Sequence, residues 1–295
     1  MTVECLVRPG HDPWRLEEIR ADVAWHETEM ADVNAVAALV RRVRPDWVFH
    51  LAVYGAYSWQ TDVDTMIRTN VVGTLALVRA CVTADVPVLV NAGSSSEYGL
   101  KDHPPAESEW LDPNSDYACT KASATQLCRQ WALRHHRRFV TLRLYTAYGP
   151  WEDPGRLVPT LVVHGLRGTL PPLTRPETAR DWVYVDDTCD AFVRAAISAG
   201  VPDGAVYNVG SGVQTSLDDV VATARRVMGV AQEPRWGAMN DRVWDTSVWV
   251  ADPCAARAAL GWEPRTSFAD GFARTVEWFR QRPATTARYQ AHQTA

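Results

Sequence analysis

Lysine is nearly absent from this 295-residue chain: of its 30 basic residues only Lys101 and Lys121 are lysine, leaving 28 arginines. Such a bias suggests a GC-rich coding sequence, so each retained lysine carries more information than usual. Excess positive charge is missing too. The formal net charge is −5, which gives no electrostatic footprint for nucleic acid. No apolar run approaches the roughly 18 residues of a membrane span, and no signal-peptide pattern opens the sequence, so no membrane partner is expected. The cysteines (Cys5, Cys81, Cys119, Cys128, Cys189 and Cys254) lie far apart and never form C-x-x-C. That pattern predicts reduced thiols, a cytoplasmic location and no metal site. The one histidine pair, His135-His136 in RHHRR, reads as a solvated helix end rather than a metal site.

What remains is 46% hydrophobic and 22% charged, enough core for one large domain or two joined ones. TVECLVR at the start reads as a buried strand, and a polar stretch follows. DVNAVAALVRRV has Val36, Leu39, Val40 and Val43 at helical spacing, and DWVFHLAV reads as a strand buried on both faces. Residues 65–83 place Ile67, Val71, Leu75, Val78 and Val82 on one helical stripe. VPVLVNAG (86–93) is another buried strand, a helix starts near Ser115, and RFVTLRLY (138–145) is a further strand. Strand–helix alternation at this spacing predicts a doubly wound parallel α/β sheet.

Beyond Tyr145 the rhythm breaks into the Pro- and Gly-rich GPWEDPG and GTLPPLTRPE, which suggests a smaller C-terminal substrate lobe. AVYNVG (205–210) returns to strand character, and Thr215 or Ser216 caps a helix with Asp219 completing a capping box. The expected organisation is a dinucleotide-binding, Rossmann-like domain over 1–155, rejoined by 180–210. The substrate lobe takes 156–179 and 211–288, and 289–295 is a tail within the frayed stretch 284–295.

Ligands of such sheets bind beyond the carboxyl ends of the strands. There the loop NAGSSSEYG is followed by a helix carrying SDYACTKASA. Tyr117 and Lys121, four apart, share a helix face. An ammonium beside a phenol favours the phenolate, lowering a pKa that starts near 10. With a serine from the loop, the set handles the proton of an alcohol or carbonyl oxygen. The alternative for Tyr117 and Lys121 is the plain surface of an amphipathic helix.

VFHLAVYGAYS, RTNVVGTLALVRAC, VNAGSSSEYG, YACTKAS, LRLYTAYGPWE, RDWVYVDD and YNVGSG occur in that order between residues 48 and 212. Together they resemble the extended short-chain dehydrogenase/reductase family, the NAD(P)-dependent epimerases, dehydratases and reductases of nucleotide sugars. LGWEPRTSFADGFARTVEWFR (260–280) resembles the family's closing segment. The resemblance implies Tyr117 as acid/base, Lys121 as ribose contact and tuner of Tyr117, and Ser94 as the catalytic hydroxyl. It implies Ala52 and Glu29 along the cofactor, Asn70 as structural support, and Arg180 as a bidentate grip on the substrate diphosphate. Arg242 is a second phosphate candidate, in a stretch that departs from the family pattern. For Arg180 the alternative is a surface ion pair with Asp181 or Asp186.

Departures narrow the reaction. Ser95 and Ser96 stand where the dehydratases carry an acidic pair, with Glu97 one place late, so 4-epimerase or 4-ketoreductase is favoured over 4,6-dehydratase. Thr146 replaces a frequent asparagine on the substrate side. Arg8 at the end of TVECLVR suits the 2′-phosphate of NADP, which favours NADP over NAD. The resemblance also implies a homodimer through the helices at 65–83 and 115–134.

The family's glycine-rich strand–turn–helix has no counterpart before Val3, since TVECLVR resembles the family's second strand. The expectation is therefore a fold lacking its first βα unit. Either the sequence starts late, or the chain is a cofactor-less homologue that acts as a binding protein. Gly210-Ser211-Gly212 imitates the missing turn but matches the family's later YNVGSG.

Overall fold

The computed structural model describes residues 2–239 and 246–293; Arg242 lies outside the described residues. The described residues form nine strands: β1 (Val3–Val7), β2 (Val23–Glu27), β3 (Trp47–His50), β4 (Val88–Ser94), β5 (Arg138–Leu144), β6 (Thr146–Tyr148), β7 (Ala179–Tyr184), β8 (Val206–Val209) and β9 (Gln214–Ser216). The chain divides into two compact units, Met1–Gly99 with Trp110–Arg143 and Phe192–Tyr207, and Leu100–Glu109 with Leu144–Ala191 and Asn208–Ala295.

In the first unit β4 is nearly continuous apolar sequence, and its first four residues are fully buried, as a strand covered on both faces requires. It pairs in parallel with β3, so that His50 stands beside Asn91 near the carboxyl end. The sheet runs β3-β4-β5-β8, whereas β1 and β2 form a parallel pair of their own. Among the described residues β1 and β3 each pair along one edge, and Val3, Trp47 and Phe49 remain more than a third exposed. Leu6 of β1 and Val48 of β3 nevertheless pack on one apolar cluster with Val36, Val40, Leu77 and Val78.

β2 lies inside the stretch read as polar. VAWHE has little strand character alone; pairing with β1 supplies its ladder, and His26 Nε2 reaches Glu4 Oε2 at 2.6 Å across the pair. The helix Val33–Val43 buries Val36, Leu39 and Val40, as the spacing predicts, and Asp32 caps it by accepting from the amides of Asn34 and Ala35.

The helix Val63–Thr83 differs from expectation in two ways. It is long and apolar enough by composition to cross a bilayer, although half of that window is buried in the protein. Of the stripe read from the sequence, Val78 is fully buried and Val71, Leu75 and Val82 are half-buried, whereas Ile67 is not part of the buried face. A π-type segment over Ile67–Gly73 widens the helix there, so Met66, Asn70, Thr74, Leu77 and Cys81 face inward while Ile67 is exposed.

In the second unit β6 pairs in parallel with β7, and β7 pairs antiparallel with β9, setting Arg180 opposite Thr215. Ser216 caps the helix Leu217–Met228 with Asp219 in a reciprocal box. Trp262 is fully buried and donates from its indole N–H to the Asp187 carbonyl at 2.9 Å. The stretch 284–295, read as frayed, is instead the helix Pro283–His292 through most of its length. It buries Thr286 and Tyr289, and the Tyr289 hydroxyl donates to the Glu152 carbonyl at 2.7 Å.

Burial pushes the Glu152 carboxyl up to about 7, against the pull of Arg156 at 3.4 Å. Between its ordinary range and pH 7 the folded chain holds a proton that the unfolded chain releases, so stability falls as pH rises through that window. Glu152→Gln is therefore expected to raise the melting temperature by several degrees at pH 8 and little at pH 5, measured by calorimetry at both values.

Candidate active site

Ser94 ends β4 and caps the short 3-10 turn Ser95–Tyr98, while Ser115 caps the helix Asp116–His135 that carries Tyr117 and Lys121. Lys121 is 5% exposed and donates to the Ala92 carbonyl at 2.6 Å. That bond ties the helix to β4 two residues before Ser94. Burial lowers the ammonium's pKa, and the charge of Glu97 works in the opposite sense. Tyr117 is half-buried, one turn before Lys121. The Ser94 hydroxyl accepts the Ser96 amide at 3.2 Å and shares a hydrogen bond with the Ser96 hydroxyl at 2.8 Å; Ser95 is buried.

Glu97, one place late in the sequence reading, is fully buried. It accepts from the Ser94 amide at 2.8 Å, from the Thr125 hydroxyl at 2.9 Å and from Arg143 Nε at 2.9 Å. Gly93 makes this approach feasible, because a Cβ there would stand 2.7 Å from Thr141 Cγ2 and 2.9 Å from Glu97 Oε1. Asn70 acts as the expected support. Its amide nitrogen donates to the Tyr54 carbonyl at 2.8 Å and to Thr120 at 2.9 Å, and its oxygen accepts the Tyr54 amide at 2.9 Å.

His50 was not singled out in the sequence, although a polar residue closing an apolar strand is a signal. It lies 2.8 Å from the Thr74 hydroxyl, whose proton goes to the Asn70 carbonyl at 2.6 Å, so His50 donates from Nε2. Burial and then the Lys121 charge lower its pKa to about 3, which keeps the ring neutral at working pH. Arg8 and Glu29 are exposed just beyond the ends of β1 and β2, and Ala52 packs against the apolar cluster beneath β3.

The second unit holds a separate constellation. Asp181 is fully buried. Its carboxylate accepts from the Ser211 amide and hydroxyl, both at 2.6 Å, and from the amides of Gly212 and Ala251, both at 2.9 Å. Burial raises the Asp181 pKa, and these donors oppose the rise. Arg180 donates to the Ala179 carbonyl at 2.7 Å and lies over the Trp249 ring, 5.4 Å from its centroid. Thr146 is half-buried at the start of β6, opposite Trp182.

The donors at the end of β4 suit the hydroxyls of a nicotinamide ribose: a buried ammonium and a phenol one helical turn apart. A pyrophosphate asks for consecutive free backbone amides. The Gly210-Ser211-Gly212 turn does not supply them, since the Ser211 and Gly212 amides are taken by Asp181. Among the described residues no group of three or more His, Cys, Asp or Glu side chains is arranged to hold a metal ion.

A mostly parallel sheet flanked by helices defines a Rossmann-like α/β protein. Residues 5–210 match the NAD dependent epimerase/dehydratase family. The chain is 31% identical over 268 residues to a dTDP-glucose 4,6-dehydratase of Streptomyces antibioticus, spanning 87% of this chain and 76% of that protein. It is 30% identical over 308 residues to a UDP-glucose 4-epimerase of Mycolicibacterium smegmatis, spanning 95% and 94%. The UDP-glucose 4-epimerase of Thermus thermophilus, solved with NAD, superposes with a TM-score of 0.79 at 25% identity over 94% of this chain and 99% of that one. The chain belongs to the NAD dependent epimerase/dehydratase family.

Proposed function

We propose that the protein exchanges a hydride at C4 of a nucleotide-activated hexose with NAD or NADP, with Tyr117 handling the proton of the C4 oxygen. The observation that carries this reading is Lys121: a nearly buried ammonium, fixed on Ala92 and on the same helix face as Tyr117, just ahead of Ser94. When bound, the nicotinamide supplies the hydride acceptor. Tyr117 as phenolate takes the proton from O4 while Lys121 stabilises its charge and Ser94 hydrogen-bonds the same oxygen. Reversal of these roles returns the proton when the ketone is reduced.

Epimerase or 4-ketoreductase activity is favoured over 4,6-dehydration. The one acidic residue of the serine loop, Glu97, is committed to Ser94, Thr125 and Arg143, which withdraws it from use as a base on the sugar. A 4-epimerase and a 4,6-dehydratase both occur among the relatives. The test is turnover of UDP- and dTDP-hexoses with NAD or NADP, and of their 4-keto forms with NADH or NADPH: C4 epimers from the first panel or C4 alcohols from the second support the reading, and a 4-keto-6-deoxy product overturns the preference against dehydration.

Arg8 supports a preference for NADP. Arg8→Ala is expected to weaken NADP binding about tenfold and to leave NAD within twofold, on the scale of one lost charge-assisted bond. Fluorescence titration with the two dinucleotides measures both. We also assign a homodimer through the helices Val63–Thr83 and Asp116–His135, supported by the exposed Val63, Ile67 and Val72. Ile67→Glu is expected to convert the dimer to monomer in sedimentation velocity.

A further inference from the structure

We infer that Glu97 and Arg143 form a positioning pair that sets the Ser94 hydroxyl for proton transfer, an assignment that rests on the Ser94–Tyr117–Lys121 reading. Glu97 closes a capping box around Ser94: its carboxylate takes the Ser94 amide, while the Ser94 oxygen takes the Ser96 amide. Ser94 is thereby held at both its backbone and its hydroxyl. A cap needs no burial. The same box at Ser216 and Asp219 is exposed to solvent. At Ser94 the carboxylate is instead fully buried, which is costly unless every oxygen is paired.

Arg143, from β5, provides that pairing. Its Nε donates to Glu97 at 2.9 Å, its Nη1 donates to the Tyr98 hydroxyl at 2.8 Å, and its guanidinium lies 4.5 Å from the centre of the Tyr98 ring. Thr125, on the helix that bears Tyr117 and Lys121, donates to the same Glu97 oxygen as the Ser94 amide. One buried carboxylate thus connects the Ser94 loop, the inner strand β5 and the Tyr117 helix. Glu97 touches no reacting atom in this arrangement; it acts through Ser94.

The experiment is a kinetic cycle with whichever panel substrate turns over fastest, using Ser94→Ala, Glu97→Leu/Arg143→Met, and all three changes together. Removing both charges keeps the interior neutral, so the double variant is expected to melt near the parent. Its kcat should fall about tenfold or more with KM within about twofold, and the same pair of changes should cost nothing further once Ser94 is alanine. Glu97→Gln/Arg143→Met, which keeps the acceptor for the Ser94 amide, should recover kcat to within about threefold. Thr125→Val perturbs the same oxygen without touching a charge, and the same dependence on Ser94 is expected if the double variant does not fold. An equal loss in the Ser94→Ala background, or a change confined to KM, overturns the pair's role. If Ser94→Ala itself leaves kcat unchanged, or no panel member turns over, the underlying acid–base reading fails instead.

Discussion

Tyr117→Phe is expected to lower turnover by about 10²–10⁴-fold, the usual contribution of a positioned acid–base group, with little change in melting temperature. The phenol is half-buried on a helix held by other residues. Ser115 caps it, Lys121 fixes it to Ala92, and Thr120 connects it to Asn70. Losing one oxygen atom at Tyr117 therefore removes chemistry and spares the fold. The loss should fall on kcat and kcat/KM together, because the proton transfer is made in the transition state and not in substrate binding. Steady-state kinetics on the wild type and the variant measure it, and unchanged turnover would refute the role of Tyr117.

The second large effect is on stability. Arg143→Met leaves the Glu97 carboxylate buried without its charge partner, and such broken pairs cost about 3–5 kcal/mol. Both side chains are almost wholly inaccessible, at 3% and 0% exposure, so water cannot substitute for the lost guanidinium. Denaturant titration should show the loss in full for Arg143→Met. Most of it should return when Glu97→Leu is added, since an apolar pair of similar volume replaces the ionic one. A single change with wild-type stability would mean that Glu97 had found another partner.

How much of this was legible in the sequence depended on whether a residue's role is local. The parallel α/β architecture, the strand at 88–94 and the helix at 33–43 follow from apolar spacing, because burial on both faces or on one stripe writes itself into the chain. β2 does not, because VAWHE becomes a strand only through its pairing with β1. The stripe expected over 65–83 holds at Val78 and fails at Ile67, because the π-type segment at Ile67–Gly73 breaks the simple helical count. The stretch from residue 284 looks frayed because its composition is polar; its place is set by contacts such as those of Thr286, Tyr289 and Gln293, the last two reaching residues more than 100 positions away.

The candidate site divides in the same way. Tyr117 and Lys121 are four residues apart on one helix and could be paired by spacing. Glu97 and Arg143 are separated by 46 residues, and Asp181 gathers donors from Ser211, Gly212 and Ala251. Charged residues inside LRLY and RDWVYV were the only traces of those connections. A charge in an otherwise buried strand announces a partner without naming it.

The decisive measurement follows the hydrogen on C4. UDP-glucose and dTDP-glucose labelled with deuterium at C4, incubated with the protein and oxidised cofactor, should pass the label to the nicotinamide ring. Turnover should slow by about two- to fourfold if hydride transfer limits the chemical step, whose barrier such a change alters by less than 1 kcal/mol. Reduced cofactor carrying deuterium, or a C4 epimer that regains it, is the expected result. Product that forms without deuterium appearing on the nicotinamide ring at any stage of turnover would contradict hydride exchange at C4 by Tyr117, Lys121 and Ser94.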